Sequence, residues 1–257
     1  MTDTGALKKI VVFLPAYNEA ESIPDVLPRV PRDAVPGAEV VVVVIDDGSR
    51  DATADVARAH GADLVVRKAR NQGLGAAVRD GLAESVRLGA DVGVMIDADN
   101  EYPPELIPAL VAPILRGEAD YVIGSRFAGT IRGMKLHRRL GNYAFTWLQR
   151  ALLAASGRPV RLTDGQSGMR AFSREAMERA DIIHDYNYAQ VLTLNLVRQG
   201  FRMTEVPIPY QVRTKGESFI KFQAYARKVL PAIYREMRRP AGPQRWAPRP
   251  AKPRGPR

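Results

Sequence analysis

The sequence predicts an α/β fold in which helices cover both faces of one mostly parallel, Rossmann-like central sheet. Two observations support this. Short β-branched runs such as Val40–Ile45 are apolar throughout, which is typical of parallel strands buried on both faces. Such runs alternate with helix-like segments through residue 125, the order of a doubly wound sheet. The chain has 257 residues, of which 46% are hydrophobic, enough for one large domain with a full core.

The predicted elements follow one another at short intervals. Strands are predicted over residues 10–14, 40–45, 64–66, 92–96 and 120–123, with a late strand over 202–207. Helices are predicted from Ala20, over Thr53–His60, opening within residues 71–77, from Ser173 and over residues 219–239. The sequence contains no internal repeat, so residues 1–238 are interpreted as one domain.

A basic, proline-rich tail follows this domain at residues 239–257. The chain has a net charge of +10, and residues 240–257 contribute five positive charges and no acidic residue. Six of the 19 prolines also lie there, which predicts a disordered, polyproline-like segment. Such a tail suits an anionic membrane or a nucleic acid. Because the sequence has no nucleic-acid-binding motif, we expect no nucleic-acid partner.

Cysteine content and hydrophobicity suggest a compartment. The chain has no cysteine, which excludes disulfides, thiolate metal sites and a cysteine nucleophile. The polar residues before the first strand are too few for a signal peptide. No apolar run approaches the roughly 18–20 residues that span a bilayer. We therefore expect a cytoplasmic protein.

The most informative segment is the acidic run that follows the predicted strand 92–96. Asp97 and Asp99 are separated by one residue, and Glu101 adds a third carboxylate. Burying such a cluster costs free energy unless a cation balances its charge. Oxygen donors without histidine or cysteine suit Mg²⁺ or Mn²⁺, and Mg²⁺ usually completes its shell with water and substrate phosphates. The alternative is a solvated acidic turn that caps a helix.

Two other predicted strands also end in polar turns. Strand 40–45 continues into Asp46–Thr53, and strand 10–14 continues into Pro15–Glu19. The carboxyl ends of parallel strands form the ligand crevice of an open α/β sheet. Asp47 alone is equally well explained as an Asx turn or a helix N-cap. Three polar strand ends along one sheet edge indicate a ligand site.

Taken in order, these motifs resemble glycosyltransferase family 2, whose members have the GT-A fold. The motifs are PAYNE from residue 15, VVVVIDDGSRDAT from 41, NQGLGAAVRDGL from 71, DADNEYPPE from 97, YVIGSRF from 121 and TDGQSGMRAFSREA from 163. The resemblance covers about residues 10–218. It is strongest to the dolichyl-phosphate or polyprenyl-phosphate mannose (or glucose) synthases, whose integral members carry C-terminal membrane helices that this sequence lacks.

The resemblance implies a donor, a metal and a set of site residues. The donor would be a nucleotide diphosphate sugar, GDP-mannose or UDP-glucose, and the metal Mg²⁺ or Mn²⁺. The predicted metal ligands are Asp97, Asp99 and Glu101, although family members often have a neutral residue at the position of Glu101. The implied catalytic residues are Asp99, Arg126 and Arg213. The implied nucleotide-sugar site comprises Pro15, Tyr17, Glu19, Ile45, Asp47, Asp97, Ala98, Asp99 and Arg213.

Three arginine positions bear on phosphate binding. Arg126 follows a predicted strand, and its fork suits an acceptor phosphate or a diphosphate, although a structural salt bridge is the alternative. In the synthases an arginine of the following basic run binds the lipid phosphate. The resemblance does not distinguish whether this arginine is Arg138 or Arg139 here, and Arg138 is favoured. Arg213 matches a late diphosphate-binding motif, but the lysine of that motif is Phe219 here.

Three further features each have two interpretations. Asp164, in the polar loop 163–170, would either position sugar hydroxyls or cap its own loop. Gly73 and Gly75 would either approach a phosphate or form a tight turn against the sheet. The apolar stripe of helix 219–239 is typical of an interfacial helix and equally of a helix that packs on a core.

The predicted function is metal-dependent, inverting transfer of a hexose from a nucleotide diphosphate sugar to a polyprenyl phosphate. The enzyme would be cytoplasmic, with peripheral contact at the inner face of the membrane. One alternative is transfer to a soluble acceptor, such as a phosphorylated acid or another sugar. A second is a sugar-phosphate nucleotidyltransferase, disfavoured because PAYNE replaces the glycine-rich loop of that class. A third is a catalytically inactive nucleotide-sugar sensor.

Overall fold

The computed structural model describes residues 8–186, 188–212 and 222–242, and a seven-stranded sheet forms its centre. The strands of this sheet are β1 (Lys8–Ala16), β2 (Ala38–Asp46), β3 (Leu64–Arg67), β4 (Val92–Met95), β5 (Tyr121–Ser125), β7 (Arg170–Ser173) and β8 (Met203–Pro207). Two short strands, β6 (Ile131–Arg132) and β9 (Tyr210–Gln211), pair in parallel as a separate ribbon.

The helices are α1 (Ile23–Val26), α2 (Thr53–Ala59), α3 (Leu74–Arg87), α4 (Ile107–Leu115), α5 (Leu136–Ala155), α6 (Arg174–Arg179), α7 (Ala189–Arg198) and α8 (Phe222–Arg238). Short 3-10 turns cover Leu27–Arg29 and Pro104–Leu106. Within the described part of the chain, no helix is both long and apolar enough to cross a bilayer.

The sheet is mostly parallel, as predicted. Its strand order is β3-β2-β1-β4-β7-β5-β8, and only β7 runs antiparallel to its two neighbours. Alternate residues of β1 face opposite sides: Ile10, Val12 and Leu14 join the core beneath α1, α2 and α4. Val11 and Phe13 join the core beneath α3, α6 and α7. The continuous apolar runs therefore reflect strands covered on both faces.

Two elements differ from the prediction. The sequence predicts a loop through residue 170, whereas β7 begins there and hydrogen-bonds to both β4 and β5. Four residues are too few to show a strand period, and the flanking strands supply the partners that stabilise β7. The basic run near Arg138 begins a 20-residue helix, α5.

The predicted helix start at Ser173 is confirmed, because its side chain caps α6 by accepting from the Ala176 amide.

The late amphipathic helix forms as α8 and packs on the domain. Val229 and Ile233, both members of the predicted stripe, contact a cluster that includes Leu194 of α7 and Leu153 of α5. For this part of the helix the core-packing interpretation is supported. Arg213, Phe219 and residues 243–257 of the predicted tail lie outside the described residues.

Candidate active site

The polar turns after β1, β2 and β4 meet at one sheet edge, where they border a cavity of about 480 Å³. Parallel pairing of these three strands brings their carboxyl ends together. Of the predicted site residues, the cavity is lined by Pro15, Tyr17, Glu19, Asp47, Asp97, Ala98, Asp99, Glu101, Arg126 and Arg138. Ile45 is instead fully buried in the core and is not among the residues that line this cavity.

The turn after β1 is tied to the turn after β2. Asn18 adopts a left-handed conformation with φ 55°, which asparagine tolerates better than most residues. Its amide donates to the Ser49 Oγ at 2.9 Å, and its side-chain oxygen accepts from the Arg50 amide at 2.9 Å. The Glu19 amide donates to the Thr53 Oγ1 at 2.9 Å. These bonds fix the relative position of two of the predicted nucleotide-binding segments.

The Asp47 turn (residues 46–51) uses its carboxylates to hold backbone. Asp47 accepts hydrogen bonds from the Gln72 and Gly73 amides, the latter at 2.7 Å, and pairs with the Lys68 Nζ at 3.1 Å. Asp46 accepts from the Ser49 amide at 2.8 Å, an Asx-type bond. Asp47 thus anchors the loop that opens α3 while it also lines the cavity.

That loop is packed as a tight turn. Gly73 has a φ of +102°, and a Cβ at this position would lie 2.4 Å from the Asp185 carbonyl oxygen. A Cβ at Gly75 would lie 2.0 Å from the His184 carbonyl oxygen, and the Gly75 amide donates to Asp185. Both glycines are therefore needed for close approach to another chain segment. The contacts support a tight turn, although it packs against residues 184 and 185 rather than against the sheet, and Gly73 also lines the cavity.

The Asp99 turn (residues 97–101) gathers negative charge. Burial raises the pKa of Asp97 well above its usual range, and the nearby carboxylates of Asp99 and Glu101 raise it further. The backbone of Gly168 packs directly against Asp97, since a Cβ there would lie 1.7 Å from its Oδ2. Asn100 shapes the turn with a left-handed φ of 59°. Bringing these carboxylates together costs free energy that a bound cation would offset.

The donors of this turn fit a hard divalent cation. They are carboxylate oxygens, as Mg²⁺ and Mn²⁺ prefer. Among the described residues, no three His, Cys, Asp or Glu side chains are grouped as a complete metal cage. Mg²⁺ is commonly held by one or two carboxylates, with water and substrate phosphates as its other ligands. Each Glu101 carboxylate oxygen accepts from Arg138, at 3.1 and 3.0 Å, so Asp97 and Asp99 are the better candidate ligands.

Arg126 is buried and clamped. It is 2% exposed, and its Nε and Nη2 donate to the two carboxylate oxygens of Asp164 at 2.6 and 2.8 Å. The salt bridge considered from the sequence is therefore present, although Arg126 also lines the cavity. Asp164 caps its own loop as well, by accepting from the Gln166 amide at 3.2 Å.

The family model described as glycosyl transferase family 2 matches residues 11–180. The chain belongs to glycosyl transferase family 2. This family 2 enzyme is 34% identical over 220 residues to an undecaprenyl-phosphate mannosyltransferase of Micrococcus luteus, covering 82% of this chain and 86% of the relative. It is 33% identical over 226 residues to a polyprenol monophosphomannose synthase of Mycolicibacterium smegmatis, covering 82% and 80%.

Solved structures are similar as well. Glucosyl-3-phosphoglycerate synthase of Mycobacterium tuberculosis, in complex with Mn²⁺, UDP and glucosyl-3-phosphoglycerate, superposes with a TM-score of 0.69 at 27% identity. The match covers 90% of this chain and 80% of that one. The predicted α/β fold of the GT-A type and the predicted enzyme class, a family 2 hexosyltransferase, are confirmed.

Two tyrosines of this family 2 enzyme were not predicted from the sequence. The Tyr210 ring lies near both guanidinium groups, 5.3 Å from that of Arg126 and 5.8 Å from that of Arg138. Tyr102 meets Tyr210 edge-on, and its hydroxyl accepts from the Gly168 amide at 2.8 Å. Tyr102 directly follows the acidic turn in the sequence, so its place beside the site could have been predicted. Tyr210 stands in a two-residue strand with no motif around it.

The loop 165–168 rests on a buried arginine, which was also missed. Arg170 is fully buried, and it donates to the carbonyl oxygens of Ser167 and Gly165 at 2.9 and 3.0 Å. Its Nη1 also donates to the Tyr121 hydroxyl. Arg170 therefore holds the loop whose Gln166 and Gly168 line the cavity.

Proposed function

We propose that this family 2 glycosyltransferase transfers mannose or glucose from a nucleotide diphosphate sugar to a polyprenyl phosphate, with inversion at the anomeric carbon. One observation carries the proposal: a single cavity joins the acidic Asp99 turn to two arginines, Arg126 and Arg138, that flank Tyr210. Such a cavity suits two phosphate-bearing substrates, one bound through a cation and one through guanidinium groups.

The donor end is assigned to the acidic side of the cavity. Asp97 and Asp99 would hold Mg²⁺ or Mn²⁺, and the bound cation would neutralise charge that develops on the leaving diphosphate. Pro15 and Tyr17, at the end of β1, would bind the nucleoside, and Asp47 would hold the loop beside it in place. The Mn²⁺ and UDP in the complex of the mycobacterial synthase support a divalent cation and a nucleotide donor for this fold. Arg213, outside the described residues, remains a predicted contact to the diphosphate.

The acceptor end is assigned to the arginines. A phosphate monoester is largely ionised at neutral pH, so its oxygen attacks without a strong general base. Arg126 is held by Asp164, and Arg138 by Glu101, before any substrate arrives. These two side chains would orient the acceptor oxygen toward the sugar and reduce the entropy cost of bringing two anions together.

The lipid character of the acceptor is supported by the relatives. Both the Micrococcus and the Mycolicibacterium proteins are named for transfer to a polyprenyl phosphate. The proposed enzyme would therefore work in the cytoplasm at the inner face of the membrane, as a peripheral protein. Its net charge of +10 supports attraction to an anionic surface.

A second candidate is transfer to a small phosphorylated acid. It is favoured by the mycobacterial glucosyl-3-phosphoglycerate synthase, a structure of which contains phosphoglyceric acid. Arg126 and Arg138 would bind any phosphate monoester, so their geometry alone does not select the lipid.

A donor and acceptor panel tests the proposal. Purified full-length protein would be incubated with GDP-mannose, UDP-glucose or UDP-N-acetylglucosamine, each with a short water-soluble polyprenyl phosphate or with 3-phosphoglycerate. Parallel reactions would contain Mg²⁺, Mn²⁺ or a chelator. We expect transfer to the polyprenyl phosphate only when a divalent cation is present. Transfer to 3-phosphoglycerate alone would establish the second candidate, and metal-independent transfer would contradict the role of Asp97 and Asp99.

A further inference from the structure

Helix α5 exposes an apolar stripe to solvent. Leu136 is 71% exposed, Leu140 58%, Tyr143 43% and Trp147 68%. These four residues (the α5 stripe) are spaced by four, three and four positions, so they lie along one face of the helix. A different face of α5 packs on the domain, since Thr146, Gln149 and Leu153 are buried. A long helix with a buried inner face thus leaves a second, outer apolar face in contact with water.

The surroundings of the stripe are basic. Between Asp120 and Asp164 the sequence has no acidic residue. The same 43 residues contain eight basic ones, Arg126, Arg132, Lys135, Arg138, Arg139, Arg150, Arg158 and Arg161. Arg139 and Arg150 are exposed on α5 beside the stripe. Helices that lie in the interface of an anionic bilayer typically expose leucine and tryptophan beside arginine and carry few acidic residues. The outer face of α5 has this composition.

The stripe is continuous with the candidate active site. The Tyr143 ring packs on Phe127, with ring centroids 4.4 Å apart, and Phe127 directly follows Arg126. Arg138, in the first turn of α5, bonds to Glu101 of the Asp99 turn. A surface that binds the outer face of α5 would therefore be adjacent to the two arginines assigned to the acceptor phosphate.

We propose that the α5 stripe is a membrane-docking surface that inserts into the headgroup region of an anionic bilayer. The choice of a bilayer rests on the proposed lipid-linked acceptor. Docking through α5 would present the arginine end of the cavity to a phosphate at the membrane surface. This assigns membrane contact to α5 rather than to α8, whose predicted stripe is partly used in packing on the domain.

Charge disfavours a second copy of the chain as the occupant. In a two-fold contact the same patch would face itself, so Arg139 and Arg150 of one copy would meet those of the other without an intervening carboxylate from this stretch. An anionic lipid surface complements the same charges.

Matched double variants test the proposal. L140Q/W147Q removes a leucine and an aromatic residue from the α5 stripe. L230Q/Y234Q removes a leucine and an aromatic residue from α8, where Leu230 is 47% and Tyr234 61% exposed. Binding would be measured by sedimentation with vesicles of equal parts phosphatidylglycerol and phosphatidylcholine, and with pure phosphatidylcholine. No vesicle would contain polyprenyl phosphate, so the binding result does not depend on the acceptor assignment.

We expect wild-type protein to bind the anionic vesicles and to be released by high salt. L140Q/W147Q should lose roughly tenfold or more in vesicle affinity, because two apolar side chains no longer transfer from water. L230Q/Y234Q should retain the wild-type affinity within about twofold. All three proteins should keep the same melting temperature and the same rate with a water-soluble polyprenyl phosphate.

Fluorescence provides a second, local measurement. The chain has two tryptophans, Trp147 and Trp246, so W246F leaves Trp147 as the sole reporter. Its emission should shift to shorter wavelength on addition of anionic vesicles. The proposal is overturned if this emission does not shift, if the two double variants bind vesicles equally, or if L140Q/W147Q instead abolishes a dimer seen by analytical ultracentrifugation. Failure of the enzyme to glycosylate any polyprenyl phosphate would reject the proposed function. The vesicle measurements would still decide whether the α5 stripe binds an anionic membrane.

Discussion

The Asp47 turn and the Asp99 turn have similar sequences but opposite electrostatic surroundings. Both are pairs of aspartates at the end of a buried parallel strand. In the Asp47 turn the carboxylate accepts from two backbone amides and pairs with Lys68. In the Asp99 turn, Asp97 lies near two further carboxylates, and burial together with those charges raises its pKa.

This difference separates a structural use of aspartate from a functional one. Donors from the protein satisfy Asp47, so its charge is balanced in the folded chain without any ligand. The Asp99 turn brings three carboxylates close together, and the Glu101 carboxylate is bound by both ends of the Arg138 guanidinium. A cation is the natural complement of the second turn and adds little to the first. The variants below test this distinction, in order of decreasing expected effect.

The largest expected effect is that of Asp99→Asn. The substitution keeps the shape of the side chain and removes the charge assigned to the metal. Turnover should fall by about a hundredfold or more, because metal stabilisation of a leaving group is worth several kcal/mol. Steady-state rates over a range of Mn²⁺ concentrations would measure this, and calorimetry would measure nucleotide binding with and without Mn²⁺.

Asp47→Asn is the matched control for that measurement. It makes the same chemical change in the other turn, and its turnover should keep the wild-type dependence on Mn²⁺. If both variants lost metal dependence equally, the distinction between the turns would be wrong.

Asp47→Ala should mainly affect stability. The substitution leaves Lys68, whose side chain is 7% exposed, with Asp80 as its remaining partner, and it removes the acceptor for the Gln72 and Gly73 amides. We expect a loss of about 3 kcal/mol in the free energy of unfolding, since removing one partner leaves a buried charge poorly compensated. Urea denaturation would measure it. A fully stable variant with weakened nucleotide binding would instead make Asp47 primarily a ligand residue.

The sequence predicted where the site lies better than what each residue does there. Parallel strands necessarily end at the same edge, so Pro15, Asp47 and Asp97 were expected together, and they line one cavity. Partners that come from distant segments were not predictable in the same way. The pairing of Arg126 with Asp164 and the position of Tyr210 depend on how β5, the 163–170 loop and β9 pack in three dimensions. The spacing of residues along the chain gives no indication of those contacts.

Arg138→Lys should have a moderate effect on the acceptor. Lysine keeps the charge but cannot reproduce the fork that binds Glu101 and would bind a phosphate. We expect the KM for polyprenyl phosphate to rise roughly tenfold, with little change in the KM for the donor. Arg139→Lys is the neighbouring control, because Arg139 is exposed and lies over the Tyr143 ring. Equal effects of the two substitutions would mean that the wrong arginine has been assigned to the phosphate.

The smallest expected effect is that of Asn100→Gly in the Asp99 turn. Asn100 already has a left-handed φ of 59°, which glycine adopts without strain. Arg29 would lose its bond to the Asn100 side chain but keep both bonds to Glu105. The free energy of unfolding should therefore change by less than about 1 kcal/mol, with turnover near the wild-type rate.

Gly48→Ala provides the contrast in the Asp47 turn. Gly48 has a φ of +74°, and an added Cβ would lie 2.4 Å from the carbonyl carbon of Arg70. Because that neighbour is backbone, the whole loop would have to move, and this variant should unfold at a clearly lower urea concentration than Asn100→Gly. If Asn100→Gly were the more damaging of the two, the backbone of the Asp99 turn would be the more tightly constrained. The charge of that turn would then no longer be sufficient to explain how the two turns differ.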